Sequence, residues 1–193
     1  MTQQSRDDRD GKFAGFLKSL ADNGNRGALA ALRRGLSSGG AAAAGMPRYV
    51  AGWLHEKDGP WDEQRFYLVA ALFGRYPCTN TPGHNFGGSC RRLQLRRDPR
   101  KESQSLERRF VALLAADADS VGVHLRHAIS LLAAEDIAVD WAQLLRDLQW
   151  WGQSEHRVQR RWARTFWKDS ATGTSESDQC QEEVQQESEL SNG

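Results

Sequence analysis

Near residue 160 the sequence places Arg157, Arg160, Arg161, Arg164 and Lys168 at i, i+3, i+4, i+7 and i+11, a spacing that gathers all five on one broad face of an α-helix. Val158, Trp162 and Phe166 fall on roughly the opposite side. Such a helix is anchored through its aromatic residues and presents a line of cations that can follow a phosphate backbone. The plain alternative is a solvated charged face, but no acid within 157–168 neutralises the five bases. A denser cluster, RRLQLRRDPRK at 91–101, holds six bases and one acid. Its Arg91, Arg92, Arg96 and Arg97 precede Pro99, which is expected to end a helix at Asp98. As a loop the segment would still bind phosphate, without sequence preference. Arg26, Arg33 and Arg34 form a third group, and Arg108 and Arg109 a fourth, with Glu102, Glu107 and Asp117 near enough in sequence to pair with some of them.

Enzymatic chemistry has weaker support. Cys78, His84 and Cys90 are spaced too widely for a zinc knuckle and lack a neighbouring fourth ligand. His124 and His127 stand three apart without the acidic partner of a helical zinc protease, and Asp117 and Asp119 are explained as loop and helix cap. No Walker loop, dinucleotide-binding glycine fingerprint, nucleophile elbow or paired carboxylate site occurs, so no cofactor, metal or catalytic residue is expected. Five of the seven Trp lie in 141–167. Exposed beside Arg they could stack on unpaired bases. Trp141, Trp151, Trp162 and Phe166 each fall on an apolar stripe, which favours a structural role, and Trp150 and Trp167 are left over.

The elements that carry these residues are expected to be helices. Ala and Leu together number 43, Val and Ile only 10. Phe13, Phe16, Leu17 and Leu20 mark one amphipathic helix, broken by DNGN at 22–25. Leu29, Leu32 and Leu36 mark a second, ending near Gly35, and SSGGAAAAG at 37–45 follows as a low-complexity loop. Pro47 opens a short helix with Val50, Trp53 and Leu54; residues 61–76 form a buried one along Phe66, Val69, Ala70 and Phe73. After an irregular connection at 77–88, a basic helix is expected from Ser89. Four more follow. One starts near Ser103 or Ser105 with Leu106, Phe110, Leu113 and Leu114; one is capped by Asp119 with Leu125, Ile129 and Leu132. The next has a capping box of Asp140 and Gln143 before Leu144, Leu145, Leu148 and Trp151, and the last runs from about Glu155 to Lys168. All five Pro lie between 47 and 99, which suggests an all-α helical bundle of two packed sub-bundles, 10–100 and 101–169, followed by a tail at 170–193.

Net charge is +1, and it hides a division. All 26 Lys and Arg lie in residues 1–169 beside 19 acids, a balance of +7, whereas 170–193 carry six acids and no base. The bases are 21 Arg and five Lys, a bias that suits forked recognition of phosphate. The tail has too little apolar surface to order itself, and a disordered acidic tail is expected. The three cysteines are few, odd in number and widely spaced, so free thiols are expected. No apolar run approaches the roughly 20 residues of a membrane helix, and MTQQSRDDRDG lacks the apolar stretch of a signal peptide; a cytoplasmic protein without membrane contact is expected.

Four segments, RGALAALRRG at 26–35, SLERRF at 105–110, DWAQLLRDLQWW at 140–151 and RRWARTFW at 160–167, in that order and spacing, resemble the small subunit of the type I-E CRISPR surveillance complex Cascade, the CasB family, over roughly residues 10–169. The resemblance implies an all-helical, non-enzymatic protein present as two copies at the inner belly of a crRNA-guided complex, beside its backbone and large subunits. It implies contacts to crRNA and target DNA through basic surfaces, and help in holding the displaced non-target strand of the R-loop. The positions matching basic family positions are Arg26, Arg33, Arg34, Arg108, Arg109, Arg160, Arg161 and Arg164. The Ala/Gly insert at 39–45 and the acidic tail depart from the family pattern. The rival reading is a helical adaptor whose arginines meet acidic proteins rather than nucleic acid.

Overall fold

The computed structural model describes residues 3–35, 45–78, 83–98 and 104–168. Expectations for Leu36, most of the 37–45 stretch, Lys101 and the tail at 170–193 lie outside the described residues, as does the 99–103 segment that holds the expected sub-bundle boundary. The described residues form nine α-helices: α1 (Gln3–Asp22), α2 (Arg26–Arg34), α3 (Pro47–Val50), α4 (Pro60–Arg75), α5 (Phe86–Arg97), α6 (Ser105–Ala115), α7 (Val121–Ala134), α8 (Trp141–Gln149) and α9 (Arg157–Phe166). A 3₁₀ turn at Ala51–Trp53 extends α3, and no strand occurs among these residues.

The centre is α4. It starts with Pro60 at its first turn, where a missing N–H costs nothing, and it is apolar on nearly every side. A helix of that kind must be wrapped by others. Phe66, Val69, Ala70, Leu72 and Phe73 are all buried, against α2, α3, α7 and α8. Gly74 permits the closest of these approaches: a Cβ there would lie 2.6 Å from the backbone nitrogen of Arg33 on α2. Both α1 and α4 pack on α8, so residues before and after position 100 share one buried apolar cluster.

Several boundaries differ from expectation. The first helix begins at Gln3, ahead of its apolar stripe, because Arg9 and Asp10 are drawn into the interior. There Arg65 Nη1 donates to Asp10 Oδ2 at 2.8 Å and to the Leu145 carbonyl at 3.0 Å, and Arg65 Nε donates to Asp62 at 3.1 Å. Arg9 Nη1 donates to Asp58 Oδ2 at 2.6 Å. Burial holds the Asp10 carboxyl above its usual range despite Arg65, whereas hydrogen bonds from Arg9 and the His55 backbone outweigh desolvation and hold Asp58 below it.

The basic helix starts at Phe86, not Ser89. Asn85 caps it by accepting from Gly88 N at 3.2 Å, and the apolar first turn, buried throughout, docks on α9. Before α7 the carboxylate that closes the turn is Asp117, accepting from Ser120 N at 2.8 Å; Asp119 does not cap. Half of the expected capping box forms at α8. Asp140 accepts from Gln143 N at 2.9 Å, but the Gln143 amide turns inward to Asp147 at 2.6 Å instead of back to Asp140. The last helix is shorter than expected, preceded by His156 in the left-handed region at φ 47°.

Candidate nucleic-acid interface

The split face of α9 is realised. Val158, Trp162 and Phe166 are buried, while Arg157, Arg160, Arg161 and Arg164 are exposed; Lys168, expected on the same face, is exposed but lies beyond the helix end at Phe166. The anchor is a ring of aromatic contacts: Trp162 packs on Trp151 at 4.9 Å and on Phe86 at 5.1 Å, and Phe166 stacks on Phe110 of α6 at 4.1 Å. Trp141, Trp151, Trp162 and Phe166 are core residues, as their stripes indicated. Of the two left over, Trp150 is partly exposed, while Trp167 packs on Phe110 and donates from Nε1 to Glu107 at 3.0 Å. Gly87 sets the α5–α9 crossing, since a Cβ on it would lie 2.3 Å from the carbonyl oxygen of Trp162.

Two acids from outside 157–168 reach this face, which corrects the picture of five uncompensated bases. Arg161 bonds the buried carboxylate of Asp147, which also accepts from Trp162 Nε1 at 2.5 Å. Burial holds the Asp147 carboxyl above its usual range against these donors. Arg157 pairs with Glu155, whose carboxyl it holds below its usual range. Arg160 donates to the Glu155 backbone carbonyl, without an ion pair of its own among the described residues, while adding a smaller attraction to the same carboxylate. Arg164 and Lys168 make no ion pair among the described residues.

The other candidates divide similarly. On α5, Arg97 Nε donates to Glu135 Oε1 at 2.8 Å and Arg96 Nη1 to the Glu135 carbonyl at 2.6 Å, so both are tied to the end of α7. Arg91 is half-buried; Arg92 is exposed and makes no ion pair among the described residues. On α6, Arg108 donates to the neutral Gln104 at 3.0 Å, and Arg109 is exposed. On α2, Arg26, Arg33 and Arg34 are exposed, fixed by the Asn25 cap and by buried Ala28, Ala31 and Leu32. Because α5 packs on α9, and Phe110 of α6 stacks on Phe166, the cations of α5, α6 and α9 belong to one part of the molecule. The α2 arginines do not join them: α2 packs on α4 and α1.

Sequence reasoning missed a polar recess of about 520 Å³ beside Arg161, lined by His84, Asn85, Asp140, Gln143 and Thr165. Asn85 Nδ2 donates to Thr165 Oγ1 at 2.9 Å across it. Of its lining residues the sequence marked Asp140 and Gln143 only as a helix cap and His84 only as a zinc candidate with the wrong spacing, and Asn85, just before FGGSC, carried no signal of its own beyond a loop composition. His84 faces Ser89 at 3.3 Å, and no group of three or more metal-binding side chains occurs among the described residues. Cys78 and Cys90 are free thiols. No described helix is long and apolar enough to cross a membrane.

Fold and site together define an all-helical protein with outward-facing arginines on an aromatic-anchored terminal helix. The family model for CRISPR-associated protein Cse2 matches residues 28–167, and the chain belongs to that family. It is 35% identical to CRISPR-associated protein Cse2 of Thermus thermophilus, over 89% of this chain and 95% of the relative. Among solved structures it is similar to M. ruber CasB, 31% identical with a TM-score of 0.69 over 85% of this chain and 95% of that one. It is also similar to a chain of a CRISPR RNA-guided surveillance complex, 26% identical with a TM-score of 0.70 over 84% and 93%.

Proposed function

We propose that the protein is a non-catalytic small subunit of a crRNA-guided Cascade complex, where it contacts crRNA and target DNA and stabilises the R-loop, including the displaced non-target strand. The observation that carries this reading is α9: its aromatic face is buried and its cationic face is exposed. Family membership and the likeness to a chain of a surveillance complex support it. Binding neutralises phosphates without reading bases. In R-loop formation heteroduplex gain and duplex loss nearly balance, so a few arginine contacts to a displaced strand shift the equilibrium. Within the complex the protein acts in the cytoplasm, in two copies, beside the backbone and large subunits.

Arg164, Lys168, Arg160, Arg92, Arg108, Arg109 and the α2 arginines are the primary contacts on this reading; Arg161, Arg157, Arg96 and Arg97 divide their charge with protein acids. Charge reversal of Arg160, Arg164 and Lys168 in the reconstituted complex is expected to shorten R-loop lifetime, with the salt slope of log affinity falling by roughly 0.7–0.9 per phosphate that the protein ceases to neutralise. Unchanged lifetime and salt slope would remove α9 from the interface. The adaptor reading draws on a different observation, the exposed Leu95, Val111 and Val123. It gains if mixing with RNA or DNA at low salt gives no mobility shift.

A further inference from the structure

A groove of about 410 Å³ opens between α5, α6 and α7. Leu106, Phe110 and Leu131 give it apolar walls; Arg109, His124 and His127 supply donors, each exposed or half-buried, and no acid lines it. A shallower recess adjoins it, lined by Arg97, already paired with Glu135, and by Asp98. Apolar walls with basic donors fit an acidic segment that carries occasional apolar side chains.

This chain has such a segment. Residues 170–193 hold six acids and no base, with Val184 and Leu190 among them. They also start in the right place. Trp167 is held on α6 by Glu107 and Phe110, and Phe110 itself lines the groove. The described chain ends at Lys168, one residue after Trp167, whose ring lies 5.7 Å from that of Phe110, a wall of the groove. The first acid of the segment, Glu176, is eight residues on, a reach of up to about 26 Å when extended.

We infer that the acidic segment 176–190 docks in cis on the α5–α6–α7 groove through Arg109, His124 and His127, so that an anionic partner approaching α6 must displace it. The docking stands on the groove and the charge pattern; only the displacement rests on the nucleic-acid reading above. An intramolecular segment acts at an effective concentration of order millimolar, so docking with an affinity of about 0.1–1 mM would weaken a competing anion by roughly 2- to 10-fold.

The test uses the full-length chain, isotopically labelled, beside a full-length variant carrying Glu176→Gln, Asp178→Asn, Glu182→Gln, Glu183→Gln, Glu187→Gln and Glu189→Gln. At low salt the two spectra are expected to differ at Arg109, His124, His127 and Leu131. They should converge at about 0.5 M salt, where screening acts within about 5 Å. Identical spectra at low salt, differences confined to the outward arginines of α9, or differences that grow with protein concentration would each overturn docking in cis. Arg109→Gln in the native chain should shift the remaining groove signals toward those of the neutralised variant. Oligonucleotide affinity then separates the two ideas. Two- to tenfold tighter binding by the neutralised variant supports displacement, and equal binding overturns it. No binding by either chain, with the spectral differences intact, would sink the nucleic-acid reading and leave the docking standing.

Discussion

Two groups of arginines in this chain look alike in sequence and behave oppositely in the fold. Arg9 and Arg65 lie beneath the surface between α1 and α4, paired with Asp58, Asp10 and Asp62 and laid over the Phe66 ring at 4.8 Å. Arg160 and Arg164 of α9 stand in solvent on a helix whose other side is buried, with Lys168 exposed just beyond its end. The first group commits its charge to the protein. The second leaves it available, and that difference separates arginines that hold the fold from arginines that can serve a partner. Arg161 stands between them, exposed yet bonded to a buried carboxylate.

The sharpest way to break the contrast is Arg65→Met. It leaves Asp10 buried without its main partner and should cost about 3–5 kcal/mol in urea unfolding, as loss of one member of a buried pair does. Arg164→Met should stay within about 0.5 kcal/mol of the parent, as exposed substitutions do. Equal losses would erase the distinction. Gly87→Ala should cost about 1–3 kcal/mol, because its Cβ would meet the Trp162 backbone, which cannot swing aside as a side chain would. The control is Gly11→Ala, where nothing lies within 4 Å of the added Cβ and helix propensity should yield a gain of about 0.5–1 kcal/mol. If Gly87→Ala is as benign as the control, α9 is not docked through that crossing.

Asp147 gives a subtler test. Burial raises its carboxyl above the usual 3.8, so the folded state holds that proton more firmly than the unfolded state does. Its contribution therefore favours folding at low pH and is lost as pH rises through the folded-state value. Asp147→Asn removes that share of the slope, so the unfolding free energy of the variant, followed from about pH 4 to 7, should fall less with pH than the parent's. Parallel slopes would mean that Asp147 titrates normally. The smallest stability effect belongs to Arg164→Ala with Lys168→Ala. Unfolding should be unchanged within about 0.5 kcal/mol, while the salt slope of nucleic-acid binding drops by roughly 0.7–0.9 for each phosphate left without its cation.

Periodicity was legible wherever a helix has one apolar and one polar face. The stripes of α1, α6, α8 and α9 and the buried Trp residues followed from spacing alone, because a 3.6-residue repeat maps directly onto which side is covered. Helix starts were less legible. Phe86 begins α5 in a Gly-rich stretch with weak propensity, and docking of Gly87 on Trp162 supplies the stability that local sequence lacks.

The amino-acid sequence by itself determined the helical class, the division between a basic body and an acidic tail, and the face of α9 on which the cations lie. It did so because composition and repeat are local properties. Which of those cations remain free was decided only by tertiary structure. Asp147 reaches Arg161 from fourteen residues away, Glu135 reaches Arg96 and Arg97 from another helix, and Asp10 reaches Arg65 across fifty-five positions. Coulombic pairing depends on distance in space and on burial, and neither is written in the spacing of charges along the chain.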